Sequence, residues 1–137
     1  MTCSNQFTIA GHGTGNGILH NSIYSNGTSG IELMPGANND QAAPVITSVL
    51  ANSQIVQING TLTSTPNNTF TVEFFASATN DRSGKIFLGS TTVKTDKNCT
   101  GTFTFLSALP SIVGSTYYTA TATDSNNNTS DFSAGAS

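Results

Sequence analysis

The chain has 137 residues, a formal net charge of -3 and only 8% charged residues, against roughly 25% in an average soluble domain. Its four basic residues, Arg82, Lys85, Lys94 and Lys97, cannot line a phosphate-tracking surface, which argues against a nucleic-acid partner. No apolar run approaches the ~18 residues of a membrane span, so no membrane insertion is expected. The polar surface must come from Thr, Ser and Asn, a composition that favours strands and turns. The length allows one domain with a core, plus an appendage.

Residues 1–15, which end in the GHGTG of Gly11 to Gly15 around His12, read as a flexible N-terminal arm. This is not a phosphate loop, because no Lys-Ser or Lys-Thr pair follows it. The opening MTCSNQFTIAG lacks a basic region and a long apolar core, so it is not expected to be a secretory signal. Either the signal lies elsewhere or the chain is a piece of something longer. The two cysteines, Cys3 and Cys99, lie far apart in sequence, and the pattern favours free thiols over a disulfide.

Residues 16–34, NGILHNSIYSNGTSGIEL and its flank, place Ile18, Ile23 and Ile31 between Asn and Gly corners. The segments 17–19, 21–24 and 30–33 read as very short strands that cannot bury their own side chains. Such segments make sense as one turn of a stacked solenoid. Residues 35–43 form a linker punctuated by Pro35-Gly36 and Asn38-Asn39-Asp40.

From residue 44 onward strands recur at short spacing. The expected strands are 45–51, 55–63, 70–77, 86–94, 101–106, 116–123 and 129–134, separated by Asn, Gly, Pro and Asp turns. Alternation puts Val56, Ile58, Gly60 and Leu62 on one face, and Phe70, Val72, Phe74 and Ala76 on another. Phe103, Phe105, Tyr118, Ala120, Ala122 and Phe132 complete the expected core. Thr119, Thr121 and Thr123 are expected to face water. Phe75 breaks the alternation: a surface pair, a contact with the 16–34 segment and a place in a binding face are all open to it. Seven short strands in residues 44–137 predict an all-β, immunoglobulin-like antiparallel sandwich. There is no Trp to fill the place that antibody domains give it.

Two stretches carry a resemblance. The pattern of Asn21, Ile23, Asn26, Gly30, Ile31 and Leu33 resembles a coil of a right-handed parallel β-helix, as in pectate-lyase-like proteins. The segments NGTLTSTPNNTFTVEFFAS, FLGSTTVKTD and YYTATATDSNNNTSDFSA resemble the Ig-like domain that follows the β-helix in large bacterial surface and secreted proteins. The order of coil, linker and sandwich is also similar. The resemblance implies an extracellular or cell-surface location. It also implies a remnant coil at 16–34, an Ig-like sandwich at 44–137, and upstream coils or another surface protein as partner.

Candidate sites are sparse. Asp96, Asn98 and Gly101 match the first half of a calcium loop, but the twelfth position is Ser107 rather than the Glu that would bind bidentately. Asp124, with Asn126 and Asn128, and Asp131 nearby raise the same question. A hairpin turn feeding Thr102-Phe103 accounts for the first stretch, and a turn stabilised by Asx side chains accounts for the second. His12, His20, Ser22 and Glu32 could be imagined as a hydrolytic set, but no Ser has nucleophile-elbow surroundings. His20 is expected at a solvent-facing corner, catalysis is not expected, and no cofactor is implied. Tyr24, Phe75 and Tyr117 are the aromatics least tied to the core and the candidates for stacking on carbohydrate. The sequons, among them Asn26-Gly27-Thr28 and Asn67-Asn68-Thr69, are matches that an Asn- and Thr-rich chain produces by chance. The expectation is a non-catalytic module that caps or spaces a β-helix and takes part in adhesion. The alternative is an accessory domain of a β-helix polysaccharide lyase or hydrolase.

Overall fold

The computed structural model describes residues 13–112 and 114–137. Its described residues form six strands: β1 Val45–Ala51, β2 Ile55–Thr63, β3 Thr69–Ser77, β4 Ile86–Lys94, β5 Thr100–Ala108 and β6 Tyr117–Thr123. They make two three-stranded antiparallel sheets, in the orders β1-β2-β5 and β4-β3-β6. The sheets face one another across a shared apolar layer, so the fold is an all-β sandwich. One short left-handed turn, Ala37–Asp40, is the remaining regular element.

The core follows from the period of two along each strand. Val56, Ile58 and Leu62 of β2 and Phe103 of β5 meet Phe70, Val72, Phe74 and Ala76 of β3 and Tyr118, Ala120 and Ala122 of β6. Phe74 is fully buried, stacked on Phe105 at 4.2 Å and edge-on to Phe103 at 5.4 Å. A bulge between Phe74 and Phe75 re-aims β3 against β4. It is matched on β4 by Gly89, whose φ of 148° and closeness to the Phe105 ring leave no room for a side chain.

Four features differ from the sequence reading. The expected seventh strand is not a regular strand: residues 129–136 run beside β6 and meet it discontinuously, at isolated bridges of Tyr118 with Ala136 and Thr123 with Thr129 and through the Ser130 and Ser133 N–H groups, which donate to the Ala122 and Ala120 carbonyls. The reason is local. Ser133 Oγ accepts the Ala120 N–H at 2.9 Å and Ser130 Oγ accepts the Ala122 N–H at 3.0 Å, so side chains take bonds that a ladder would make. Second, Thr119, Thr121 and Thr123 are buried rather than facing water. Third, Phe132 joins Phe75 and Ile31 in a second cluster outside the sandwich core. Fourth, Cys99 is buried and disulfide-bonded rather than a free thiol. Cys3, like His12, lies outside the described residues.

The second and third differences have one cause. On the outer face of the β4-β3-β6 sheet, β3 and β6 are covered largely by the segment 13–43, while Phe87, Ser90 and Thr92 of β4 stay exposed. Cross-strand register lines up Phe87, Phe75 and Thr119 in one row and Ser90, Glu73 and Thr121 in the next. Ile18, Ile23, Ile31 and Leu33 pack over this face, on Phe75 and Phe132. Among the described residues nothing similar covers the outer face of β1-β2-β5, where Val45, Leu50, Ile55 and Leu106 stand exposed.

Candidate functional site

The contact between the 13–43 segment and the sheet is built mainly from side chains that accept backbone N–H groups. A segment whose one bridge, Ile23 with Gly84, is to the β3–β4 connection must place its remaining N–H groups elsewhere. Asn128 Oδ1 accepts from Gly15 at 2.7 Å, Thr129 Oγ1 from Ile18 at 2.9 Å, Glu73 Oε1 from His20 at 3.0 Å and Asp131 Oδ1 from Leu33 at 2.8 Å. Backbone bonds from Ile23 to Gly84 and from Gly30 to Arg82, both 2.9 Å, fix the middle of the segment. Sequence reasoning missed these acceptors, because nothing local distinguishes an outward Glu on a strand from a solvated one.

Glu73 is the most unusual member. Its side chain is fully buried on an uncharged sheet face, while that of His20 is 66% exposed. His20 Nε2 lies 2.7 Å from Glu73 Oε2. That oxygen nonetheless accepts no hydrogen bond of acceptable geometry. The side-chain contact is therefore ionic in character, and the His20 backbone N–H makes the directional bond to Oε1. Thr121 Oγ1, across from Glu73 on β6, is likewise buried without a hydrogen bond among the described residues. The His20 ring also lies 4.6 Å from that of Phe87. His20 has φ 55°, so it does occupy a corner of the segment.

Asp131 has a different environment. Burial raises its carboxyl above the ordinary value, and Glu32 pushes the same way. The Leu33 N–H and the Arg82 charge pull it back. Its Oδ1 anchors the segment through the Leu33 N–H.

The other candidates are placed as follows. Asp96 Oδ1 accepts from the N–H groups of Asn98 at 2.8 Å and Thr100 at 3.1 Å, which closes the β4–β5 turn around Cys99 at φ 68°. Asp124 does the same for Asn126 and Asn128 at 2.9 and 3.0 Å, and its two oxygens also accept from the Asn128 side-chain amide. These carboxylates hold turns. Among the described residues, no group of three His, Cys, Asp or Glu gathers to hold a metal ion.

Ser22 Oγ donates to the Lys85 carbonyl at 2.6 Å, away from the His20 pair, and Glu32 is exposed. The imagined hydrolytic set is not assembled among the described residues. Tyr24 is 46% exposed, with Lys85 Nζ 4.9 Å from its ring centre. Tyr117 opposes Ser77 at the end of β6. Phe75 is 2% exposed, edge-on to Phe132 at 5.2 Å, so it has no face to offer a sugar. No contact brings these three aromatics together. No helix among the described residues is long and apolar enough to cross a membrane. No family model matches the chain, and no curated protein matches it significantly.

Proposed function

We propose that the chain is a non-catalytic secreted or cell-surface module in which an Ig-like sandwich terminates a β-helix-type coil and spaces it from its surroundings, with a role in adhesion. The observation that carries this reading is the 13–43 segment lying over the outer face of β3 and β6. Its isoleucines point into Phe75 and Phe132, and its backbone is held by Asn128, Thr129, Glu73 and Asp131. A solenoid end exposes unpaired edges, and a sandwich attached to the last turn covers them. The strand orders β1-β2-β5 and β4-β3-β6, with residues 129–136 beside β6, support the Ig-like assignment. They match a sandwich in which a C′-type strand extends the sheet of C, F and G.

The test is the coding sequence in frame upstream of Met1, together with fractionation of the native source. In-frame coils of the N-x-I-x-x-N kind without gathered Asp, Lys or Arg, in a protein found outside the cell, are the expected result. Coils bearing such a cluster would move the chain to an accessory role beside a polysaccharide lyase or hydrolase. An intracellular protein with no coil upstream would sink the proposal.

A further inference from the structure

One end of the sandwich carries a polar groove of about 330 Å³, at the lower end of the ~300–1,000 Å³ of small-molecule sites. Three separate segments wall it: Asn39 and Gln41 from the linker, Asn68 from the β2–β3 turn, and Asp124, Ser125 and Asn126 from the turn after β6. We propose that this groove is a binding site for a neutral saccharide of one or two rings. The inference goes beyond the proposed module function and does not depend on it.

Three observations lead there. The first is rigidity. Each wall is fixed by one polar side chain that is only 1% exposed: Asn38, Thr95 or Asn128. The Asn38 amide donates to the carbonyls of Asn16 at 2.9 Å and Thr129 at 3.0 Å, and its oxygen accepts the Asn16 N–H at 3.0 Å. Thr95 Oγ1 donates to the Thr65 carbonyl at 2.6 Å and accepts the Asn68 N–H at 3.1 Å. The Asn128 amide bridges both oxygens of Asp124. Buried polar networks of this kind specify one arrangement of the loops they support. A groove ordered before binding loses little entropy when a ligand arrives.

The second observation is backbone strain at the groove wall. Asn38, Asn39 and Asp40 are consecutive left-handed residues, with φ of 47°, 54° and 50°. L-residues avoid this region, Asn and Asp least, and rarely in succession. Residues held in such conformations cluster at ligand sites.

The third is the chemistry left unused. Asp124 is the only charged residue lining the groove, and both its oxygens are occupied by N–H groups. No bare carboxylate remains to demand a cation. The side chains of Asn39, Ser125 and Asn126 make no hydrogen bond among the described residues, and Asn68 Oδ1 and Gln41 Oε1 accept none. A side-chain amide presents a donor and an acceptor side by side, and so does a pair of neighbouring sugar hydroxyls. A lining of amides and a hydroxyl without free charge therefore suits a neutral polyol better than an ion or an acidic sugar.

The test is titration of the full chain, labelled with nitrogen-15, with maltotriose, cellotriose, chitotriose and mannotriose, and separately with trigalacturonate and with calcium chloride. The expected result is millimolar binding of at least one neutral saccharide, with shifts confined to the amides of Asn39, Gln41, Asn68, Ser125 and Asn126. The double variant Asn39→Gly, Asn126→Ala keeps the left-handed backbone at residue 39. It should keep the spectrum of the folded chain and bind about tenfold more weakly. No shift with any neutral saccharide at tens of millimolar would overturn the proposal. So would shifts from trigalacturonate or calcium alone, or unchanged affinity in the double variant.

Discussion

The contact between His20 and Glu73 is where the covering segment can be tested most directly. Replacing Glu73 with Ala removes a charge-assisted bond to the His20 N–H, worth about 1.5–3 kcal/mol, and one buried methylene at about 0.8 kcal/mol. Against this stands the relief of a carboxylate that is fully buried, a desolvation cost of several kcal/mol that such groups carry. The net expectation is a loss of about 1–3 kcal/mol. His20→Ala leaves the backbone N–H in place and removes only the ring. That ring is 66% exposed, so solvent screening reduces the ionic contribution, and the coupling between the two side chains should be about 0.5–1.5 kcal/mol. Urea denaturation of the two single variants and the double variant gives this coupling, since the contact of His20 with Phe87 cancels in the cycle. Limited proteolysis within residues 13–33 should accelerate in Glu73→Ala. Coupling under about 0.3 kcal/mol, with unchanged proteolysis, would mean that the segment is not held by this pair.

Three further outcomes are expected. Phe74→Ala should lose about 3–5 kcal/mol in urea denaturation, because the ring is fully buried between Phe103 and Phe105; a loss under about 1 kcal/mol would contradict its central place in the core. Gly84→Ala should lose about 1–3 kcal/mol by overpacking, since a Cβ there would lie 2.6 Å from the Phe75 ring and 2.7 Å from Phe132; a neutral result would show that the second cluster yields easily. Burial raises the Asp131 carboxyl above its ordinary 3.8, so the folded state holds that proton more tightly than the unfolded chain. The resulting stability is fully present below pH 3.8 and is lost as the pH rises through the folded-state value. Asp131→Asn keeps an acceptor for the Leu33 N–H without the charge, so it should gain stability relative to the parent at pH 7 and gain none near pH 3; the opposite order in thermal melts would reverse the assignment.

The strands themselves were legible. Limits read from alternation and turn residues coincide with β1, β2 and β4 and fall within a few residues for β3, β5 and β6. The turn signals were sound for the same reason: Asn67, Cys99 and Asn127 all adopt left-handed conformations where the chain reverses. What the alternation could not give was the destination of the outward face. A row of Thr119, Thr121 and Thr123 beside Glu73 has the composition of a solvated surface, and it becomes an interior only in the tertiary fold, under the distant segment 13–43 and against Ser83 and Thr129. The candidate groove was hidden similarly. Asn39, Asn68 and Asn126 read as three unrelated turn residues, and their convergence is a product of the tertiary fold.

How the segment is attached bears on what kind of element it is. A strand added to a sheet edge would be held by a backbone ladder, and its sequence could change freely as long as alternation survived. Here the N–H groups of Gly15, Ile18, His20 and Leu33 each end on a named side chain, three of which are Asn128, Thr129 and Asp131 of the stretch after β6. That stretch has itself given up a regular ladder with β6, using Ser130 and Ser133 to satisfy the strand in place of backbone carbonyls. The irregularity that removes a seventh strand and three of the four side-chain acceptors that hold the covering segment thus lie within one run of residues, 128–133. The same run supplies Phe132 to the apolar contact with Ile31. Attachment of this kind fixes one register and one orientation for the segment, because a shift by one residue would separate every N–H from its acceptor at once. A module whose task is to end a stack of coils requires that fixed geometry, whereas a loosely tethered spacer would not.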